Sequence, residues 1–262
     1  MTLSQTQSSP IINLPYLYKY GMQLSYGSNS SLIISPGSCR DSNNVIDIEI
    51  GGVNVEGNLT PVALLVDFTK NGINGLDVGS FTAAQMYAIY VISDSRYYLP
   101  NASIACIATN NPIVPVGYDA IRLIGYWSTD VSRPLLNTGY YSGSGNDLTF
   151  IYSAARTIGT NSTTTRVSFT LAYLAPPVPT CLVKLYVNVI GNAPDLQGSV
   201  TTDFSVGVVY VLRTFVANIS TYGFAELVCP EDPITGYPFF QMSCGAAATS
   251  ISANIVGFEV SV

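Results

Sequence analysis

Val45-Ile-Asp-Ile-Glu-Ile50 decides the fold class. From Ile46 onward apolar and acidic residues alternate, and a period of two belongs to a strand with one face buried and one in water. Ile46, Ile48 and Ile50 then point inward, with Asp47 and Glu49 outward. On either side the chain repeats this kind of segment: short, β-branched or aromatic, and bounded by Gly, Pro, Asn or Ser. Such segments cover 62–68, 87–93, 104–108, 120–127 and 148–154. After a polar connection they resume at 167–174, 181–190, 207–215, 223–228 and 255–262. Residues 81–87 (Phe-Thr-Ala-Ala-Gln-Met-Tyr) read as one short helical turn. No other window sustains helical period for four turns without a breaker, so the chain is expected to be all-β.

Turn-formers concentrate in Arg156-Thr-Ile-Gly-Thr-Asn-Ser-Thr-Thr-Thr165. This predicts a boundary between a first β-sandwich or jelly-roll-like unit over 27–155 and a second over 156–262, both of ordinary size for that architecture. One larger two-sheet sandwich, with this stretch as a long hairpin, is the competing reading. Residues 1–26 differ from both units. Pro10, Pro15 and the run Leu14-Pro-Tyr-Leu-Tyr-Lys-Tyr20 read as an extended N-terminal arm, because proline blocks regular pairing. Its tyrosines need a surface, either an adjacent subunit or the chain's own sandwich. No repeat of fixed period is visible, which disfavours a propeller or β-helix.

Of 262 residues, ten are Lys or Arg, sixteen are Asp or Glu and none is His, so 10 % are charged. An ordinary soluble domain carries ~25 %. Without imidazole, Ser-His-Asp and Cys-His catalysis and His-ligated zinc are excluded. The net charge is −6, and the basic residues are spread singly from Lys19 to Arg213. No phosphate-tracking surface follows from that pattern, so no nucleic-acid partner is expected. The longest uncharged run, 233–258, is broken by Gly236, Pro238 and Gly245, which argues against a membrane span. Residues 1–20 lack the basic and apolar regions of a signal peptide. Cys39, Cys106, Cys181, Cys229 and Cys244 are widely spaced and read as buried apolar residues rather than a disulfide framework.

Candidate chemistry is thin. Asp94, Asp119 and Asp130 lie near expected strand ends in Ser-Asp-Ser, Tyr-Asp-Ala and Thr-Asp-Val. Asp in such contexts bonds the local backbone of a turn, which outweighs a paired-carboxylate reading for glycoside hydrolysis. Asp41-Ser-Asn-Asn44 lacks the Gly and distal Glu of a calcium loop. Asn71-Gly-Ile-Asn-Gly-Leu76 lacks the lysine and following helix of a phosphate loop. No catalytic, cofactor-binding or metal-ligating residue is assigned, and the chain is not expected to be an enzyme.

Surface arithmetic points elsewhere. A monomer of 27.9 kDa exposes roughly 11,000 Å², or about 400 Å² for each of its charges. That is under-charged for a solitary soluble protein. Sheet edges are normally guarded by Lys, Pro or inward charges, yet the chain has three lysines. Tyrosine, present 18 times, supplies stiff contact area with a polar tip and suits interfaces. The expected assembly contacts are Tyr16, Tyr18 and Tyr20 of the arm, with Tyr97, Tyr98, Tyr140 and Tyr141. The expected partners are copies of this chain, in a symmetric oligomer such as a trimer.

Two stretches carry a family likeness. Asn74-Gly-Leu-Asp-Val-Gly-Ser80, followed by Tyr87-Ala-Ile-Tyr-Val-Ile-Ser-Asp-Ser95, resembles a pattern in structural proteins of tailed bacteriophages. So does Asn111-Pro-Ile-Val-Pro-Val-Gly-Tyr-Asp-Ala-Ile-Arg-Leu-Ile-Gly125, continuing to Thr129-Asp130, and the earlier Gly37-Ser-Cys-Arg-Asp-Ser42 fits too. The resemblance covers residues 21–130. Basic residues that often flank the Arg are replaced by Ile121 and Leu123, so no basic-cluster contact is carried over. The resemblance implies a virion component of the tail, fibre or head surface. The acidic balance favours the outer surface, away from packaged DNA. The expectation is an outer capsid decoration or cement protein contacting other virion proteins; the alternative is a receptor-binding tail or head fibre module contacting the host surface.

Overall fold

The computed structural model describes residues 18–53, 59–60, 62–96, 98–144, 146–179, 181–202, 210–232, 235–245 and 249–262. Among them no residue is helical, and the fold is all-β. The largest sheet has eight strands in the order β19 (Thr221–Val228), β16 (Leu182–Gly191), β21 (Thr249–Ser261), β14 (Asp147–Asn161), β13 (Gly139–Ser144), β2 (Leu24–Ser28), β3 (Ser31–Ile34) and β8 (Leu64–Asp67). One four-stranded sheet runs β12 (Ala120–Ser128), β10 (Met86–Ser93), β11 (Ala102–Ile107) and β9 (Gly75–Leu76). A second runs β15 (Val167–Thr170), β20 (Phe239–Cys244), β17 (Gln197–Thr201) and β18 (Tyr210–Arg213). A three-stranded sheet joins β1 (Lys19–Gly21), β4 (Gly37–Arg40) and β5 (Asp47–Ile50), and β6 (Gly52–Val53) pairs with β7 (Leu59–Thr60).

Alternation places the layers. In β5, Ile48 and Ile50 are buried and Glu49 is exposed, while Asp47 is half-buried against Arg40 at 3.2 Å. In β16, Val183, Leu185, Val187 and Val189 are buried while Lys184, Tyr186 and Asn188 look the other way. The eight-stranded sheet thus has one packed face, and two layers cover it. Leu24 of β2 lies against Gly125 of β12, and Trp127 of β12 against Phe150 of β14. At the other end Gly198 of β17 closes on Val189 and Ile251, and Gly159 lies against Phe169 of β15. Two sandwich-like layerings therefore share one continuous sheet; buried residues from both join in one large apolar cluster, beside a small second one of Ile92, Ala102, Ile104 and Tyr118.

Phe150, fully buried, is the hub where the layers meet. Its ring lies 4.9 Å from Trp127, 5.2 Å from Tyr141, 4.9 Å from Tyr152 and 5.1 Å from Phe258. Just beyond it, β14 carries a bulge. Ile151 pairs with Gly257 and Arg156 with Ile255, so residues 152–155 oppose only Val256. Extra residues on one strand bend it and re-aim its side chains.

Three local expectations differ from the structure. Residues 81–85 form an irregular turn, with Ala84 at φ 53°, and Met86 already begins β10. A helical turn is blocked because Ala84 N–H bonds the Asp130 carbonyl and Thr82 N–H bonds the Tyr87 hydroxyl. Residues 156–161 are strand, not connection, because they pair with β21 through Asn161. Of the expected arm, residues 1–17 lie outside the described residues; Lys19–Gly21 pairs with β4, and Leu24–Ser28 joins the large sheet.

Short acidic turns close the loops. Asp94 accepts from Arg96 N and Tyr98 N, Asp119 from Ser95 N and Oγ, and Asp130 from Ser132 N and Oγ. These donors hold all three carboxyls below the usual 3.8, as Thr69 does for Asp67. All five cysteines are free and buried. Burial pushes the Cys39, Cys106 and Cys229 thiols up to about 12, and raises Cys181 and Cys244 as well.

Three outcomes are expected. Phe150→Ala should cost about 3–5 kcal/mol in chemical denaturation, the range for emptying a large aromatic site. The four depressed carboxyls bind fewer protons when folded, so the stability they contribute is complete above their unfolded value and is lost as pH falls through the folded ones. The melting temperature should stay flat from about pH 7 to 5 and drop below about pH 4, less steeply in Asp94→Asn/Asp119→Asn. Iodoacetamide should leave all five thiols unmodified in the native protein and alkylate them together on unfolding.

Candidate functional site

The tyrosines marked by sequence fall into three groups. Tyr16 and Tyr97 lie outside the described residues. Tyr20, Tyr98 and Tyr140 are 77 %, 81 % and 54 % exposed, on β1, in the loop after β10 and on β13. The Arg96 guanidinium sits 5.7 Å from the Tyr98 ring centre. Beside it Leu99 packs over Gly117, and Ile113 and Val116 of that neighbouring loop are exposed. The other two, Tyr18 and Tyr141, turn toward their own chain. The Tyr18 phenol lies by Ser38 and Asp47 and is raised mainly by burial. The Tyr141 hydroxyl accepts from Tyr126 N at 2.8 Å and donates to the Tyr126 carbonyl, while its ring packs on Trp127 and Phe150.

A larger aromatic surface lies on the open face of the eight-stranded sheet. β19 is its edge, and among the described residues no strand pairs with the free side of β19. Gly223, Ala225 and Leu227 face inward; at Gly223 a side chain would collide with the Tyr210 hydroxyl. Tyr222, Phe224, Glu226 and Val228 face out. Register carries this face across the next two strands, with Phe224 beside Tyr186 beside Asn254, and Tyr222 beside Asn188 beside Ser252. Tyr186 stacks on Tyr222 at 5.3 Å and 16° and meets Phe224 at 5.2 Å. Phe224 is 69 % exposed, and Phe215, Val216 and Ile219 in the preceding connection are exposed too.

The charge on this face is small and negative. Lys184 bonds Glu226 at 3.0 Å and Glu259 at 3.3 Å. Burial draws its ammonium down, but the two carboxylates outweigh that and leave it above its ordinary value. Such exposed pairs are worth little in stability, so they fix side-chain placement more than they hold the sheet. An edge strand with free backbone groups beside stacked aromatic rings can accept a further strand or a flat apolar partner. Sequence reasoning found this strand but not its outward rings. The available signal was parity: Tyr222 and Phe224 share one face, opposite Gly223, Ala225 and Leu227. Among the described residues, no group of three or more Asp, Glu or Cys is placed to hold a metal ion.

No protein-family model matches the chain, and no curated protein does. Among solved structures it is similar to the insecticidal delta-endotoxin Cry8Ea1 of Bacillus thuringiensis, at 10 % identity and a TM-score of 0.24, over 96 % of this chain and 54 % of the toxin. It is similar to a structure of infectious bursal disease virus strain Gx at 12 % identity and a TM-score of 0.23, covering 94 % of this chain and 71 % of that one. The VP2 subviral particle of the same virus gives 12 % identity and a TM-score of 0.21, covering 95 % and 74 %. The chain spans about half the length of the toxin. Scores this low carry no conclusion about what this chain does, and no sequence family supports the likeness to tailed-phage proteins.

Proposed function

We propose that this chain is a non-enzymatic structural subunit of a virus particle, an outer decoration or cement protein of a tailed phage. It is held by contacts with further copies of itself and with other virion proteins. The observation that carries the reading is the β19 edge, unpaired among the described residues, with Tyr222 stacked on Tyr186 and Phe224 packed beside it. The rings lie open to water beside the Lys184, Glu226 and Glu259 group, with Phe224 69 % and Tyr222 54 % exposed. A second copy is the occupant this edge fits, because the same edge and the same rings on two chains are mutually complementary. The phage setting rests on the likeness of residues 74–95 and 111–130, and the acidic balance supports a position facing away from DNA and apart from membrane. A receptor-binding fibre module is the second reading, favoured by the exposed loop group Tyr98, Leu99, Ile113 and Val116.

Sedimentation equilibrium tests the assembly surface. The native protein should be a symmetric oligomer, and Phe224→Asp should weaken self-association by about 30-fold or more, as expected for a buried aromatic anchor. A wild-type protein that stays monomeric at high concentration would overturn the reading. Quantitative mass spectrometry of particles separates the two locations: hundreds of copies indicate the shell, a few dozen the tail.

A further inference from the structure

A cavity of about 330 Å³ opens beside the β14 bulge, where the shared sheet passes from one covering layer to the other. Its walls come from three places. Asp130 and Asn137 follow β12, Tyr173 and Leu174 follow β15, and Ala155 and Arg156 come from the bulged strand itself. Its volume sits at the lower end of the ~300–1,000 Å³ of small-molecule sites, which favour such junctions between packed units.

Two of the lining residues, Asn137 and Leu174, are held from behind by a buried polar network. The Trp127 indole donates to the Asn137 carbonyl at 2.8 Å, and Asn137 Nδ2 donates to Ser128 Oγ and to the Thr129 carbonyl, both at 2.8 Å. Ser128 Oγ meets Tyr152 Oη at 3.0 Å, which donates to the Leu174 carbonyl at 2.8 Å. The Thr129 carbonyl can only accept, so it fixes the orientation of the Asn137 amide. Asn137 is 3 % exposed, and its Oδ1 has no hydrogen-bond partner.

The wall holds a loose ion pair. Arg156 Nη1 is 4.0 Å from Asp130 Oδ2, and Arg156 Nε is buried without a hydrogen-bond partner. The other Asp130 oxygen is taken by Ser132. Tyr173, raised by burial and then by Asp130, stays protonated and able to donate. The wall therefore offers an acceptor-only carboxylate beside a donor-only guanidinium. A hydroxyl both donates and accepts, so adjacent hydroxyls satisfy both groups at once. An anion would be repelled by Asp130 and a cation by Arg156, whereas a neutral ligand meets a balanced pair. Leu174 and Ala155 supply the apolar surface that the C–H face of a sugar ring requires.

We propose that this cavity binds a neutral polyhydroxylated ring, a hexose unit of a glycan, whose adjacent hydroxyls bridge Asp130 and Arg156. The site does not depend on the assembly surface. The test is saturation-transfer NMR on the full chain with methyl α-glucopyranoside, methyl α-mannopyranoside, methyl β-galactopyranoside and N-acetylglucosamine. At least one should bind saturably in the millimolar range, and Asp130→Asn and Arg156→Gln should each weaken it by about tenfold or more. Ala155→Trp, at the exposed rim, should abolish binding with an unchanged melting temperature, and it decides the matter if either wall variant fails to fold. Phe224→Asp should bind as the native chain does, which separates failure of this site from failure of assembly. Binding by none of the four sugars, binding that survives Ala155→Trp, or saturable binding of L-serine or inorganic phosphate in place of the sugars would overturn the proposal.

Discussion

The ring of Phe150 is where the shared sheet and one of its covering layers lock together. It is the contact through which one covering layer, by way of Trp127, grips the shared sheet, by way of Tyr141, Tyr152 and Phe258. Edge-to-face and offset pairs of this kind are each worth about 0.5–1.5 kcal/mol beyond the area they bury. Three of its neighbours also carry polar tips, and each tip is spent on backbone: Trp127 on Asn137, Tyr141 on Tyr126 and Tyr152 on Leu174. The apolar cluster thereby anchors the segments around it. Two of those segments, at Asn137 and Leu174, line the cavity beside the bulge.

The shortage of surface charge is greater than composition indicates, because part of the charge is inside. Lys19 is buried and donates to the Ile124 carbonyl at 3.3 Å, and Arg122 donates to Asn146 Oδ1 at 3.0 Å and to the Val262 carbonyl at 2.6 Å. Burial, reinforced by Arg122, lowers Lys19 to about 8. Asp41 and Asp94 are also buried, each closing a turn. These groups hold loops and strand ends in place and do nothing for solubility. What remains outside leaves apolar residues such as Phe215, Val216 and Ile219 exposed with little charge around them to share the surface.

Sequence patterning revealed the strand content because alternation survives wherever one face of a sheet is packed. The stretches it misread are those where long-range pairing overrides local character. Arg156-Thr-Ile-Gly-Thr-Asn161 is rich in turn-formers, yet pairing with Thr249–Ser261 makes it strand. Tyr140 and Tyr141 look like one surface pair, but strand geometry sends them to opposite faces, one exposed at 54 % and one into the core. The cavity was illegible for a different reason. Asp130, Asn137, Arg156 and Tyr173 come from segments with no common motif, brought together beside the bulge in β14 by long-range packing.

The central pairing of β14 with β21 joins Asp147 to Ser261 and Asn161 to Ile251. β16 also pairs with β21, so the middle of the large sheet cannot close until residues near 261 have emerged. Contacts this distant in sequence make for slow folding. During synthesis the edges of β14 and β16 that β21 later joins stay open, which is the condition under which sheet proteins aggregate or exchange strands. The order of events is thus set by topology: β21, by joining β14 to β16, is the closing piece of the large sheet.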